Sequence, residues 1–271
     1  MARRRTQTIL VTRVDGDHRA RRPDNVIVEE PMAIQLDGTL VSTTMRTPGN
    51  DYELAVGFCH AEGLLAGAAV TGVRYCADGS AADSEFNVVT VETGGRAPTP
   101  TPRLGMTSSS CGLCGSTTLN ELTERLSPLP ADRLVAIPLS VLVGVPDRVL
   151  GGQGLFTSTG AVHAAAAFGA DGEPLIVRED VGRHNAVDKV VGRLLLDNRL
   201  PAHDMGLFVS GRASFEMVQK AWAAGFGSVV AVSAPTALAV DTARTAGITL
   251  VGFVRGDRCN VYAPERIGGD G

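Results

Sequence analysis

Two cysteines set three residues apart carry the most explicit chemistry in this chain. Cys111 and Cys114 lie in Thr107-Ser-Ser-Ser-Cys-Gly-Leu-Cys-Gly115, a run of small residues that passes into a helical pattern over Ser116 to Leu126. A cysteine near a helix N-terminus has its thiolate favoured by the aligned backbone dipoles, and a thiolate can attack an incoming persulfide. Gly112 and Gly115 give such a loop freedom to swing. Two other readings use the same sulfurs. Half of a zinc site would need two further ligands, for which Cys59 and His60 are available. A thioredoxin-like pair would need a βαβ context and an apolar lid, which the flanking residues do not supply. Burial of both cysteines fits poorly with neighbours that are Ser and Gly.

His60-Ala-Glu62 adds a second echo of metal chemistry. Zinc deaminases carry H-x-E on one helix and P-C-x-x-C on another, and both halves occur here in that order. Ser110 stands where the proline would, and Leu54, Phe58 and Leu65 alternate with His60 and Glu62 around one helix, so these two polar residues are expected to face solvent.

A third group of residues suits an anion. Ser210-Gly-Arg212, Ser233-Ala-Pro-Thr236 and Phe253-Val-Arg-Gly-Asp-Arg258 each follow an apolar run that reads as a strand, and Glu179-Asp-Val-Gly-Arg-His-Asn185 follows a hairpin. Ligands of open α/β sheets bind outside the carboxyl ends of the strands, where helix N-termini present free N–H groups. Arg183, His184, Lys189, Ser210, Arg212, Ser233 and Thr236 are the rim candidates, with arginine and backbone amides to bind phosphate oxygens. Gly151-Gly-Gln-Gly154 lacks the dinucleotide-fingerprint spacing and reads as a loop.

The elements that must position these groups divide the chain. Residues 1–25 are polar and arginine-rich and are expected to be a disordered basic tail. A β-rich subdomain follows over 26–106: strands at Val26 to Glu30, Ala33 to Leu36 and Thr39 to Thr43, an Asp37-Gly38 hairpin turn, and a helix N-capped by Asn50. The mobile cysteine loop and its helix occupy 107–136. Strand and helix signals alternate over 137–265, which predicts an α/β domain with a mostly parallel sheet covered on both faces, and 266–271 is a tail.

Bulk properties bound the function. The 271 residues carry a formal net charge of -4, which argues against a general nucleic-acid or membrane binder. No apolar run approaches the ~20 residues of a membrane span, and Ile9-Leu-Val11 is too short for a signal-peptide core, so a cytoplasmic protein is expected. Five cysteines, odd in number and sparse, fit a reducing compartment.

Several long motifs also resemble a known family. Glu29-Glu-Pro31, Met45-Arg-Thr-Pro-Gly-Asn-Asp-Tyr-Glu-Leu-Ala-Val-Gly-Phe58, Ser109-Ser-Cys-Gly-Leu-Cys-Gly115, Thr159-Gly-Ala-Val-His-Ala-Ala165, Glu179 to Lys189, Ser210 to Lys220 and Ser233 to Thr236 are similar to the FdhD family of formate dehydrogenase accessory proteins. The resemblance implies a cytidine deaminase-like fold: a three-layer sheet-and-helix α/β domain with a smaller β-rich N-terminal subdomain, and no permanent metal. It implies a sulfurtransferase that accepts persulfide sulfur from a cysteine desulfurase. The sulfur passes to the molybdenum cofactor, in its bis-molybdopterin guanine dinucleotide form, before insertion into formate dehydrogenase. On this resemblance Cys111 bears the persulfide and Cys114 assists or shares it. Phe253, Val254, Arg255, Gly256, Asp257 and Arg258 match the cofactor-binding segment, GDP would mimic the nucleotide ends, and the protein would be a homodimer. A zinc-dependent deaminase-like hydrolase and a non-catalytic cofactor chaperone stand as alternatives.

Overall fold

The computed structural model describes residues 3–76, 81–82, 84–100 and 126–269. Cys111, Cys114 and the helix expected to run up to Leu126 therefore lie outside the described residues, Leu126 excepted.

The larger unit is a six-stranded sheet in the order β13-β12-β11-β10-β8-β9. Its strands are β8 (His163–Phe168), β9 (Pro174–Asp180), β10 (Gly206–Val209), β11 (Ser228–Ala231), β12 (Thr249–Arg255) and β13 (Arg258–Ala263). Only β10–β11 and β11–β12 are parallel, whereas β8–β9, β8–β10 and β12–β13 are antiparallel. The expected mostly parallel sheet is thus corrected to a mixed one. The reason is loop length: the turns around Ala170-Asp-Gly172 and Gly256-Asp257 are too short for the crossover that a parallel pair requires.

Alternation along each strand builds two cores. Ala165, Ala167, Leu207, Val209, Val229, Ala231 and Leu250 face one way, into a cluster with helices α4 (Arg183–Leu196), α5 (Phe215–Ala224) and α6 (Ala237–Ala246). Ala166, Phe168, Phe208, Val230 and Val251 face the other way, onto Ile137, Leu142, Val145 and Val149. The last three sit on α2 (Leu139–Leu150), a single helix that runs through Pro146. The result is three layers, helix on sheet on helices.

The smaller unit is a four-stranded sheet, β4-β3-β6-β5, from β3 (Glu30–Leu36), β4 (Thr39–Arg46), β5 (Gly72–Tyr75) and β6 (Val88–Glu92). Asp37 and Gly38, with φ of 46° and 84°, make the tight β3–β4 turn. Helix α1 (Asp51–Ala61) covers this sheet through Leu54, Ala55 and Cys59, and its opposite side crosses α4. Asn50 precedes α1 but does not cap it with its side chain; it is left-handed, at φ 57°. Asp51 accepts instead from the Gly49 N–H at 3.0 Å and pairs with the buried Arg46 at 2.9 Å.

Two expectations about the ends are also corrected. The expected disordered tail over 1–25 is corrected: β1 (Thr6–Asp15) and β2 (His18–Ile27), ten residues each, form an antiparallel hairpin through Gly16, at φ 59°. Interspersed arginines mask its strand alternation, because the ribbon buries almost nothing. Within 266–271, β14 (Ile267–Gly268) pairs in parallel with β7 (Ile137–Pro138). Gly151, Gly152 and Gln153 form the expected loop, and a short helix α3 (Gly154–Thr159) starts at its last glycine.

Candidate functional site

The carboxyl ends of β10, β11 and β12 share one edge of the large sheet, joined there by the start of antiparallel β8 and the end of β9. Main-chain hydrogen bonds stitch the loops that follow them. Ala213 N–H donates to Ala234 O at 3.2 Å, Thr236 N–H to Ala213 O at 3.0 Å and Phe253 N–H to Ser233 O at 3.3 Å. Three segments that are far apart in sequence therefore form one rigid rim.

The sequence-expected residues divide on this frame. Ser210 lies at the rim, its hydroxyl accepting from Ala164 N–H at 2.9 Å. Arg212 is exposed beside it and Ser233 is half-buried. Arg183 is the first residue of α4, and a Cβ built on Gly211 would stand 3.9 Å from its Cδ. Thr236 spends its hydroxyl as the N-cap of α6, accepting from Ala239 N–H at 3.2 Å. His184 pairs through Nε2 with Glu216, which ties the first turns of α4 and α5 together. That contact, burial notwithstanding, holds the Glu216 carboxyl below the usual carboxylate range.

Two expectations fail for a physical reason. Lys189 does not reach the rim: it is fully buried, its Nζ 2.7 Å from Asp180 and 3.0 Å from Thr47 O. It holds the two sheets together, and burial lowers its pKa against the pull of Asp180. Val254 is 1% exposed and packs in the α2-side core, so strand alternation turns it away from the neighbouring Phe253, which is 46% exposed. Phe253 itself adopts φ 54°, a left-handed conformation that costs energy for an aromatic residue and that aims its ring outward. Arg255, Gly256, Asp257 and Arg258 form the exposed tip beyond it, with Gly256 at φ 57°.

Three residues of this region were not read from sequence. His163 opens β8 directly opposite Asp180, and its Nδ1 would lie 3.4 Å from a Cβ on Gly211. Burial first, then the neighbouring Arg183 and His184, push its pKa below 6.5, which favours the neutral ring. Asp180 is a buried hub that accepts from Thr47 N–H at 3.1 Å, Gly182 N–H at 2.8 Å and Asn185 Nδ2 at 3.0 Å besides Lys189. Glu216 completes the set. A histidine heading a run of alanines was the available signal for His163; nothing local marks the other two.

The echo of a zinc enzyme receives no geometric support from the described half. Cys59 is buried in the apolar cluster of the small sheet, and burial drives its thiol up to about 12. His60 does not face solvent: its Nε2 lies 3.0 Å from Ala223 O and burial lowers its pKa. Among the described residues no three His, Cys, Asp or Glu side chains are grouped to hold a metal. His60 instead lines a cavity of about 550 Å³ with Leu64, Pro98, Pro100, Leu126 and Gln219. Pro100 and Leu126 are the described residues on either side of the cysteine stretch. This cavity lies at the C-terminal end of α5, and the rim at its N-terminal end.

The model of the FdhD/NarQ family matches residues 27–268. The chain belongs to that family. A protein of Nocardia farcinica named sulfur carrier protein FdhD is 47% identical over 97% of this chain and 95% of its own. Its namesake in Streptomyces coelicolor is 47% identical over 95% and 94%, and that in Mycobacterium tuberculosis 44% identical over 93% and 94%. Among solved structures, a formate dehydrogenase accessory protein from Desulfotalea psychrophila superposes with a TM-score of 0.78 at 25% identity, covering 98% of this chain and all of that one. The family match begins at residue 27, so the β1–β2 hairpin lies almost entirely ahead of it. Among the described residues no helix is long and apolar enough to cross a membrane.

Proposed function

We propose that the protein is a sulfur carrier that serves formate dehydrogenase, accepting sulfur on Cys111 and passing it to the molybdenum cofactor. The observation that carries this reading is 47% identity, over 97% of the chain, to a protein named a sulfur carrier. The rim supports the acceptor half: Arg183, Arg212, Arg255 and Arg258 follow or end strands at that edge, and Phe253 offers an exposed ring against which a purine can stack. A bis-molybdopterin guanine dinucleotide would bind there as cargo, with GDP as its mimic. The three-layer arrangement supports the deaminase-like reading of the larger sheet.

In the loading step the Cys111 thiolate attacks the outer sulfur of a persulfide on a cysteine desulfurase. The donor's S–S bond breaks, the donor leaves as a thiolate, and Cys111 becomes the persulfide. Cys114, three residues on, assists or shares that sulfur. Chain length sets the reach. Helix α5 spans ten residues, about 15 Å from cavity to rim. Cys111 is eleven residues beyond Pro100, a contour of roughly 40 Å at most. A carrier anchored at one end can therefore serve both.

Incubation with cysteine and a desulfurase, followed by mass spectrometry, should show one added sulfur on the wild type and none on Cys111→Ala. An added sulfur that persists in that variant would move the acceptor elsewhere. A double Cys111→Ala, Cys114→Ala variant that still restores formate dehydrogenase activity would make the protein a chaperone without sulfur chemistry.

A further inference from the structure

The β1–β2 hairpin is the part of the fold that neither core nor rim uses. Its register sets Leu10 opposite Pro23, Thr12 opposite Arg21 and Val14 opposite Arg19, so these six side chains share one face of the ribbon. Leu10 and Val14 are 56% and 60% exposed, the two most exposed large apolar side chains among the described residues. Arg19 and Arg21 are exposed beside them and form no ion pair among the described residues. No carboxylate shares this face; Asp15 and Asp24 belong to the opposite one. The base of the hairpin, by contrast, is committed to the body. Arg3 holds Glu30 at 2.8 Å and Asn87 at 2.7 Å, and Val28 N–H donates to Arg5 O at 2.9 Å. The ribbon is anchored below and bare above, and two strands alone are marginal in water.

Its position selects the partner. Strand β2 packs against α3, whose Leu155 and Phe156 N–H groups donate to Glu179 at 2.9 and 2.7 Å. Glu179 precedes Asp180 at the rim end of β9, so the hairpin stands on the rim side of the molecule, away from the cavity lined by Pro100 and Leu126. It also lies ahead of the family match, yet within the reach of the Nocardia farcinica relative: the unmatched 3% of 271 residues is only about 8.

We propose that this face docks the protein that takes the loaded cofactor from the rim, through a surface that offers an apolar strip bordered by carboxylates. The inference rests on the carrier reading, under which the cofactor leaves for a client enzyme at the rim while the sulfur donor works at the cavity end. A protein suits the face better than a nucleic acid does. Two arginines neutralise few phosphates, and the exposed Leu10 and Val14 gain nothing from a sugar-phosphate backbone.

The test measures binding of the full-length protein to the purified apo-form of the formate dehydrogenase it serves, by biolayer interferometry at low and high salt. Arg19→Glu with Arg21→Glu should weaken binding by about tenfold or more and remove its salt dependence. Leu10→Ser with Val14→Ser should weaken it while leaving that dependence in place. All four side chains are exposed, and circular dichroism should show both variants folded. Loading of sulfur from the desulfurase should be unchanged in both, so a wild type that takes no sulfur defeats the carrier reading separately. Binding equal to wild type in both variants would overturn the docking surface. So would loss of binding to a single-stranded RNA oligonucleotide with binding to the enzyme intact.

Discussion

Gly57 of α1 and Gly192 of α4 face one another at a crossing that has no room for a side chain. A Cβ on Gly57 would stand 1.9 Å from the Asp188 carbonyl oxygen, and one on Gly192 1.8 Å from that of Glu53. This contact joins the two sheets, because α1 covers the small one and α4 the large. It also brings Thr47 to Asp180 and Lys189, and Glu53 to Arg178 at 2.8 Å.

Gly57→Ala or Gly192→Ala should therefore be among the most destabilising single changes in the chain. The obstacle is backbone, which cannot rotate aside as a side chain can, so a loss of roughly 4 kcal/mol or outright misfolding is expected. Urea denaturation would check it. Gly154→Ala, where no atom lies within 4 Å of the added Cβ, is the control and should be nearly silent.

Phe253 and Val254 are neighbours with opposite roles, and substitution should separate them. Phe253→Ala removes an exposed ring and relieves none of the core, so GDP affinity should fall by about tenfold with the melting temperature little changed. Val254→Ala opens a hole in the α2-side core and should cost about 1–3 kcal/mol in stability while the folded fraction binds GDP normally. Calorimetric titration and thermal melts of the same preparations decide both.

The same logic divides the basic residues. Lys189→Met leaves Asp180 as an uncompensated buried charge and should cost roughly 3–5 kcal/mol. Arg212→Ser, at an exposed position, should leave stability within about 0.5 kcal/mol and weaken GDP binding, more so at low salt. If Lys189→Met proved stable and defective only in GDP binding, the lysine would return to the rim.

Strand ends and helix starts of the larger unit were legible because β and α periods alternate cleanly from Val162 to Tyr262. The hairpin turn at Ala170-Asp-Gly172 was legible too, but the antiparallel β8–β10 pair, whose strands are far apart in sequence, needed the pairing itself. Lys189 misled because its sequence neighbours Arg183 and His184 do reach the rim; five residues along a helix turn a side chain through about one and a half revolutions. Asp180 could not be assigned locally, since the partner that makes it a link between the two sheets, Thr47, is 133 residues away. The hairpin over 6–27 was hidden for the opposite reason: a ribbon that buries little leaves no hydrophobic pattern to read.

Stability should fall with acid beginning just below pH 6.5, and two histidines set the sign. His60 and His163 both have folded pKa values lowered from 6.5, first of all by burial. Between the lowered value and 6.5 the unfolded chain binds more protons than the folded one, so stability is complete above 6.5 and is lost as pH falls through that window. Asp188 works against this. Burial raises its pKa to about 6 despite Lys220 at 2.6 Å, so between 3.8 and about 6 the folded state binds the extra proton and gains relative stability as pH falls. Both partners of that pair are charged at neutral pH. Thermal melts from about pH 7.5 to about pH 5 should show the histidine loss first, with the carboxyl gain flattening the curve below about 6. His60→Gln, which can still donate to Ala223 O, should remove part of the early fall. An unchanged slope in that variant, and in His163→Gln, would place the acid sensitivity in groups other than these two rings.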